Sequence, residues 1–290
     1  MSEVLVLKEY IREIPFQSAE YPKELKALAN APETLYGVGN ISLLQTRKFT
    51  VVGSRRTTAA ALKLGAEVAK ELSQNFTLVT GIADGGDSAV IEGALQGSGR
   101  VICVLAGGFS SLPQGNFSLV KKVAERGLLL SPHPYDTPAR SFSYEYRNAL
   151  LAALGEGTLV LGAGEKSGAL ITAKHAEKLG KKIFAFPYPP RSFAGVGCNA
   201  LIKKGAHLTE SAGDILEKFG VSVEETALKT PKLSADEEKL FSVLREMSEG
   251  HITELSVRSG IPTFKAMAVL SALCVKGVAV ALGGNRFSAV

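Results

Sequence analysis

Short apolar runs alternate with amphipathic stretches through most of the chain. The apolar runs are FTVVG (49–53), TLVTG (77–81), RVICVLAGG (100–108), GLLLS (127–131), GTLVLGA (157–163) and KKIFAFP (181–187). Between these runs, apolar residues recur at helical spacing in the segments 57–74, 87–97, 116–126, 142–154 and 168–180. Strands that are apolar throughout are typical of a parallel sheet covered on both faces. The pattern predicts an α/β, Rossmann-like doubly wound and mostly parallel sheet, with functional loops at the carboxyl ends of the strands.

The two ends of the chain have a different pattern. Residues 1–45 are punctuated by proline and glycine, and they are predicted to form an N-terminal extension that packs on the Rossmann-like domain of 46–220. Residues 221–233 contain no core pattern and are predicted to be a linker. In 234–290, two helical stretches around Ser259–Gly260 precede VAVALGGNRFSAV, which indicates a helix–turn–helix followed by a hairpin. This predicts a small C-terminal winged-helix domain.

Charge and cysteine content narrow the class of protein. Between Lys121 and His207 there are 13 lysine and arginine residues against 6 acidic ones, a net charge of +7, whereas the whole chain carries +5. A basic middle segment favours a polyanionic partner, although basic surfaces also serve solubility alone. The 3 cysteines have no zinc-site spacing, and no signal-peptide core or membrane span is evident. We expect a reduced, cytoplasmic protein.

The predicted strand ends carry glycines, hydroxyls and cations. These loops are GSR (53–55), TGIADGGD (80–87), LAGGFSSLPQGN (105–116) and LGAGEKSGALITA (161–173). Glycines let backbone amides approach a phosphate, and Arg55 and Lys166 would neutralise its charge. Turn geometry alone explains any single loop equally well, but several loops at one sheet edge favour a phosphate-lined pocket. Neither GxGxxG after the first strand nor GxxxxGK[ST] is present.

Residues suited to catalysis are few. Asp84, Asp87 and Glu165 fall at loop edges, and Asp87 before SAVIEGAL has the position of a helix N-cap. No metal-ligand cluster or GxSxG motif occurs, so neither a catalytic set nor a cofactor is predicted. Phe142, Tyr144 and Tyr146 precede an Arg–Asn pair, and such aromatics stack nucleic-acid bases or, equally often, form a buried helix edge.

Taken in order, these segments resemble the DNA-processing protein A (DprA/Smf) family. The resemblance covers nearly the whole chain. It is carried by YPKELKALANAPETLYGVGN (21–40), VVGSR (51–55), TGIADGGDSAVIEGAL (80–95), GLLLS through RN (127–148), KSGALITAKHAEKLGKKIFAFP (166–187) and GCNALIKKGA (197–206).

The resemblance implies a non-enzymatic recombination mediator. Such proteins bind and protect single-stranded DNA, help load the RecA recombinase in natural transformation, and usually act as homodimers. The family's DNA and phosphate contacts map onto Gly53, Ser54, Arg55, Gly81, Gly85, Arg147, Asn148, Lys166, Ser167, Gly168, Thr172, Asn199, Lys203 and Lys204. The chain departs from the family pattern at Asp84 and Ala149, where the family usually has arginines; Arg56, Arg140 and Arg191 are candidates to compensate.

Two other classes remain open from the residues. One is a Rossmann-like enzyme or sensor for a nucleotide-derived small molecule, and the other is a transcription factor that reads DNA with its winged helix. The second helix of that module has only Lys265 and Lys276 as basic residues, so we predict an auxiliary or protein-contact role for it. Within VVGSRRTT, we predict that Arg55 reaches over the sheet edge and that Arg56 points elsewhere.

Overall fold

The structure is a computed structural model that describes residues 7–112, 115, 117–221 and 233–289. The chain divides into two compact units, with the boundary between residues 222 and 223. The predicted linker at 221–233 lies almost entirely outside the described residues.

The first unit is an α/β structure, as the apolar pattern predicts. Its strands are β1 (Arg12–Pro15), β2 (Thr34–Gly39), β3 (Lys48–Val52), β4 (Thr77–Thr80), β5 (Val101–Val104), β6 (Leu128–Ser131), β7 (Gly157–Val160), β8 (Lys182–Ala185) and β9 (His207–Leu208). Its helices are α1 (Lys23–Lys26), α2 (Ala59–Leu72), α3 (Gly86–Gln96), α4 (Phe117–Arg126), α5 (Ser141–Leu154), α6 (Gly168–Lys178), α7 (Val196–Lys203) and α8 (Ala212–Lys218). Each apolar run and each amphipathic stretch has the predicted type, which confirms the fold class.

The order of the strands places a crevice at the middle of the sheet. The order is β1-β2-β6-β5-β4-β3-β7-β8-β9, and the pairs from β6 to β9 are parallel. The chain builds outward from β3 to β6, then crosses back to add β7 beside β3. Strand order therefore reverses between β3 and β7, and the carboxyl ends of strands at such a switch point are where α/β proteins bind ligands.

Burial of both faces of the sheet explains the continuous apolar runs. Every residue of β3, β4, β5, β6 and β7 is buried. On one face Phe49, Phe76 and Phe184 pack together, with ring centroids 5.6 and 5.8 Å from Phe49. On the other face the leucines of α5 cover the sheet. The period-2 alternation of a half-exposed strand is therefore absent from these strands.

The N-terminal segment contributes two strands that the sequence analysis did not predict. Strand β1 pairs antiparallel with β2, and β2 pairs antiparallel with β6. The segment is further tied down where the Tyr21 hydroxyl donates to the Pro32 carbonyl at 2.7 Å. Residues 12–39 thus extend the sheet itself, in addition to packing on it.

A half-buried lysine closes the carboxyl end of α5. The Lys181 ammonium donates to the carbonyls of Ala152 at 3.0 Å and Gly155 at 2.7 Å, and it also contacts the Ala153 carbonyl. Cations stabilise helix C-termini, where the last carbonyls lack helical partners. Burial lowers the pKa of Lys181 to about 8.

We predict a pH-dependent stability difference between the protein and its Lys181→Met variant. The variant should lose about 1–2 kcal/mol at pH 7, because buried carbonyls lose their donor. A lysine in the unfolded chain has a pKa of ~10.4. Between about pH 8 and 10 the unfolded chain therefore holds a proton on Lys181 that the folded chain has released. The contribution of Lys181 to the free energy of unfolding therefore rises with pH. Urea titrations should show that the unchanged protein exceeds Lys181→Met in stability by a growing margin across that window. Lys182→Met, at the exposed neighbour, is the control; a gap that narrows would contradict this role.

The second unit packs three helices against a small sheet. In chain order it contains α9 (Ala235–Met247), β10 (Glu249–His251), α10 (Ile252–Ser259), α11 (Thr263–Val275), β11 (Ala279–Gly283) and β12 (Arg286–Ala289). Gly260 ends α10 in the left-handed region at φ 63°, at the predicted turn between the two helices. The strands pair antiparallel in the order β10-β12-β11. This order of elements is that of a winged helix, which we keep as a proposal for the unit.

Candidate nucleic-acid interface

Three strand-end loops meet at the switch point between β3 and β7. The Ser54 amide, after β3, donates to the Gly162 carbonyl after β7 at 2.8 Å. The Ser54 carbonyl accepts from the Gly86 amide, at the start of α3, at 3.2 Å. The loop that contains GSRR is therefore held between its two neighbours by main-chain hydrogen bonds.

Gly85 allows the loop before α3 to pack closely on the loop after β3. Gly85 has φ +82°, and a Cβ there would lie 2.8 Å from the Cα of Arg55. A side chain would therefore be strained and would push the two loops apart. Gly85 is the N-cap of α3, so the sequence-based prediction that Asp87 caps this helix is wrong. Asp87 lies inside the first turn and its carboxylate turns back to accept from the Ala83 amide at 3.3 Å.

A cleft of about 320 Å³ opens above these loops. Most of the predicted contact residues line it, from three segments: the loop after β3, α5 and the N-terminal turns of α6. They are Gly53, Ser54, Arg55, Arg147, Asn148, Ser167, Gly168 and Thr172. We name this the central cleft.

The N-terminus of α6 forms one wall of the central cleft. The Ser167 hydroxyl caps the helix by accepting from the Ala169 amide at 3.3 Å, as its position before GALITA suggests. Gly168 has open space around its Cα, and Asn148 Nδ2 donates to its carbonyl at 3.3 Å. A helix N-terminus with an uncrowded first residue favours an anion, because its free amides and dipole point outward.

A buried carboxylate, Asp87, and a half-buried cation, Arg147, form the floor of the central cleft. Arg147 Nη1 donates to the Val104 carbonyl at 3.2 Å, and its Nε donates to Asn148 Oδ1 at 3.1 Å. Its guanidinium carbon lies 5.9 Å from the Tyr144 ring centroid. Asp87 is the charge partner: burial raises the pKa of its carboxyl, while Arg147 and the Ala83 amide oppose that rise. Arg147 is therefore held in place by the protein and partly neutralised before any ligand arrives.

Gly81 makes room for the side chains of Arg147 and Asp87. A Cβ at Gly81 would lie 2.2 Å from Arg147 Nη1 and 2.3 Å from Asp87 Oδ2. Gly81 is itself buried. The geometry thus gives Gly81 a packing role beneath the cleft floor.

Two smaller clefts continue from the central one. The first, about 200 Å³, shares Arg55, Tyr144 and Arg147 with it and adds Asp84. The second, about 270 Å³, shares Ser54, Arg56 and Ser167 with it and adds Lys166 and Phe193. The three clefts form a groove along the sheet edge, with exposed cations at Arg55, Arg56 and Lys166. The prediction that Arg56 points away from the site is wrong, because Arg56 lines two of the three clefts.

The predicted contacts in the NALIKKGA stretch lie away from this groove. Asn199 forms paired hydrogen bonds with the Tyr188 main chain: its Oδ1 accepts from the amide at 3.0 Å and its Nδ2 donates to the carbonyl at 2.9 Å. Lys203 ends α7, and Lys204 lines a separate cavity of about 530 Å³ together with Lys181. The structure therefore does not bring Asn199, Lys203 and Lys204 together with the other predicted contacts.

Of the three aromatic residues that the sequence analysis considered for base stacking, only Tyr144 lines the groove. Tyr144 is 42% exposed and lines two clefts, whereas the Tyr146 hydroxyl donates to the Asn30 carbonyl at 2.9 Å. Phe142 is 65% exposed and lines none of the three clefts of the groove. Phe193 was missed, since only its place in a proline-rich loop after β8 marks it in the sequence.

Other kinds of site receive no support from the described part of the chain. No group of three or more His, Cys, Asp or Glu side chains is placed to hold a metal ion in the described ranges. In the same ranges, no helix is long and apolar enough to cross a membrane.

The fold and the groove define a Rossmann-like protein with a phosphate-compatible cleft at its switch point, and comparison with known proteins is more specific. The model of the family described as DNA recombination-mediator protein A matches residues 12–220, and the chain belongs to that family. The chain is 36% identical to the DNA processing protein DprA of Bacillus subtilis over 215 residues, covering 72% of this chain and 71% of that protein. It is 30% identical to the protein Smf of Escherichia coli over 283 residues, covering 94% of this chain and 76% of the other.

Two solved structures share the fold. DNA processing protein A from Streptococcus pneumoniae superposes with a TM-score of 0.69 at 31% identity, over 74% of this chain and 76% of that one. DNA processing protein A from Helicobacter pylori gives a TM-score of 0.66 at 27% identity, over 72% and 95% of the two chains. The Helicobacter structure was described for its single-stranded DNA binding mode.

Proposed function

We propose that the protein is a recombination mediator that binds single-stranded DNA along the groove, protects it and helps load RecA on it, as in natural transformation. The observation that carries the DNA-binding step is the convergence of Arg55, Arg56, Lys166 and the N-terminus of α6 in one continuous groove. A phosphate chain matches such a row of cations and amides, and counterion release would supply much of the affinity. The single-stranded DNA binding described for the Helicobacter relative supports the same ligand.

The shape of the groove favours a polymer over a single nucleotide. The central cleft is large enough for a small anion, but it continues into two further clefts that share its basic residues. A small-molecule site is usually one enclosed pocket with few polar groups. The buried Asp87 carboxylate on the cleft floor accepts from the Ala83 amide and lies in the field of Arg147, which favours binding over acid–base catalysis. We therefore propose a cytoplasmic, non-enzymatic protein without a cofactor, working as a homodimer with RecA as a partner.

We propose an auxiliary or protein-contact role for the second unit. The two lysines of α11 and its end are engaged within the unit: Lys265 pairs with Asp236 at 2.6 Å, and Lys276 pairs with Glu237 at 2.6 Å. Two of the most exposed side chains on the same helix are apolar, with Phe264 82% and Val275 87% exposed. A DNA-reading helix instead presents donors to base edges and phosphates.

A binding titration tests the proposed function. Fluorescence anisotropy with a labelled oligonucleotide should show that the full-length protein binds the single strand at least tenfold more tightly than the matching duplex. Mononucleotides should not compete at concentrations where unlabelled single strand does. Tight nucleotide binding with no effect of oligonucleotides would reject the proposal in favour of the small-molecule alternative.

A further inference from the structure

An exposed aromatic side chain lies at the far end of the groove from Tyr144. Phe193 is 72% exposed, and it lines the same cleft as Arg56 and Lys166. Its ring also lies 4.0 Å from where a Cβ on Gly164 would stand, beside the loop that leads into α6. The phenyl ring therefore adjoins the cations that the proposed function assigns to phosphate.

The loop that carries Phe193 is fixed on both sides. Before it, the Tyr188 hydroxyl donates to the Leu161 carbonyl at 2.7 Å, and Asn199 holds the Tyr188 main chain at 3.0 and 2.9 Å. After it, the Gly197 amide donates to the Ala163 carbonyl at 2.8 Å. The loop itself turns through hydrogen bonds from the amides of residues 195 and 196 to the Ser192 carbonyl, at 3.1 and 2.9 Å. These hydrogen bonds fix the main chain of the loop, and in this conformation the Phe193 ring is exposed.

We propose that Phe193 is a base-stacking residue, and that a bound single strand runs from Tyr144 across the Arg55–Arg56 turn to Phe193. This inference rests on the proposed function and extends it by assigning the path of the strand. Aromatic rings bind any base through its π-face, while adjacent cations hold the backbone. Charge complementarity favours a nucleic acid over an apolar protein segment, because Phe193 shares its cleft with two cations and one carboxylate, Glu165.

Substitutions that separate stacking from apolar bulk provide the test in the full-length protein. Phe193→Leu should weaken binding of a long oligothymidine roughly tenfold, whereas Phe193→Tyr should bind as the unchanged protein does. The salt slope should stay unchanged in both variants, because neither removes a phosphate contact. Phe264→Ala, which removes another strongly exposed ring in the other unit, is the control.

A second readout locates the contact on the DNA. A series of oligonucleotides, each with one 2-aminopurine, should show an altered fluorescence at one position that Phe193→Leu restores and Phe264→Ala does not. The inference is overturned if Phe193→Leu binds like the unchanged protein, or if its loss of affinity is matched by a loss of thermal stability. Arg55→Ala keeps the two proposals apart: if it weakens binding while Phe193→Leu does not, only the strand path is wrong, and if neither matters, the groove is not the DNA site.

Discussion

Replacement of Asp87 by alanine is expected to lower the free energy of unfolding by about 1–3 kcal/mol, because the half-buried Arg147 loses its neighbouring negative charge and the Ala83 amide loses its acceptor. The carboxylate is 5% exposed and interacts electrostatically with Arg147 at the cleft floor. An arginine cannot escape this penalty by losing its proton, because its pKa stays too high even when burial lowers it. Chemical denaturation at pH 7, fitted for both proteins with one m-value, measures the loss.

The partner substitution should behave differently with pH. Arg147→Met leaves Asp87 buried without its cation, so the pKa of that carboxyl should rise further above its unfolded value. A raised carboxyl pKa contributes stability at low pH that is lost as pH rises through the folded pKa. The stability gap between Arg147→Met and the unchanged protein should therefore shrink as the pH falls from 7 toward 5.

Asp84 supplies the control for both measurements. It is exposed and precedes Gly85 in the same loop, so Asp84→Ala should change the free energy of unfolding by less than about 1 kcal/mol. Asp87→Asn keeps the shape and the amide acceptor but loses the charge, and an intermediate loss is expected. An Asp87→Ala protein as stable as Asp84→Ala would show that the pair does not support the cleft floor.

Removal of both arginines of the GSRR turn is expected to weaken single-strand binding at least a hundredfold. Each charge-assisted contact to a phosphate is worth about 1.5–3 kcal/mol. Arg55 and Arg56 line different outer clefts as well as the central one, so each is placed to hold a phosphate of its own. Arg55→Lys/Arg56→Lys should recover only part of the affinity, because an ammonium cannot hold a phosphate through two parallel hydrogen bonds.

The matched control removes two charges from the helix that follows. Lys63 and Lys70 are exposed on α2 and line none of the three clefts, so Lys63→Ala/Lys70→Ala should bind within about threefold of the unchanged protein. Equal losses in the two double variants would mean that net charge alone governs binding. Unchanged thermal stability of Arg55→Ala/Arg56→Ala would separate a lost contact from a disturbed loop.

The sequence predicts the sheet and its functional edge because both follow from local pattern. Apolar runs that are buried on both faces mark the strands, and the turn after β3 falls where parallel strands place their carboxyl ends. The short β1 and β2 were not predicted, because Arg12–Pro15 and Thr34–Gly39 lack a strong alternating pattern and join the sheet only through antiparallel pairing. Their place depends on long-range pairing that no local window contains.

The direction in which individual side chains point could not be predicted from local sequence pattern. Arg55 and Arg56 are adjacent, and only the path of the turn between two neighbouring loops decides that both face the groove. Asn199 falls in a stretch that resembles the family's DNA contacts, yet its amide group is used to hold the Tyr188 main chain. Asp87 has the sequence position of a cap, but burial beside Arg147 determines its role.

The structure also bears on the two arginines that this chain lacks relative to the family pattern. Asp84 lines the smallest cleft and Ala149 lies on α5, so neither supplies a cation. Arg56 lines the central cleft and is exposed, whereas Arg140 is the N-cap residue of α5 and Arg191 lines none of the three clefts. Of the three candidates to compensate, Arg56 is therefore the one that we expect to contribute to DNA binding.

The salt dependence of single-strand affinity tests the groove most directly. For single strands, each neutralised phosphate contributes about 0.7 to the slope of log K against log salt concentration. Anisotropy titrations from low to physiological salt should therefore give a slope that is shallower by about 1.4 for Arg55→Ala/Arg56→Ala than for the unchanged protein, while Lys63→Ala/Lys70→Ala keeps the full slope. Identical slopes for all three proteins would contradict the account, because the GSRR turn would then hold no phosphate.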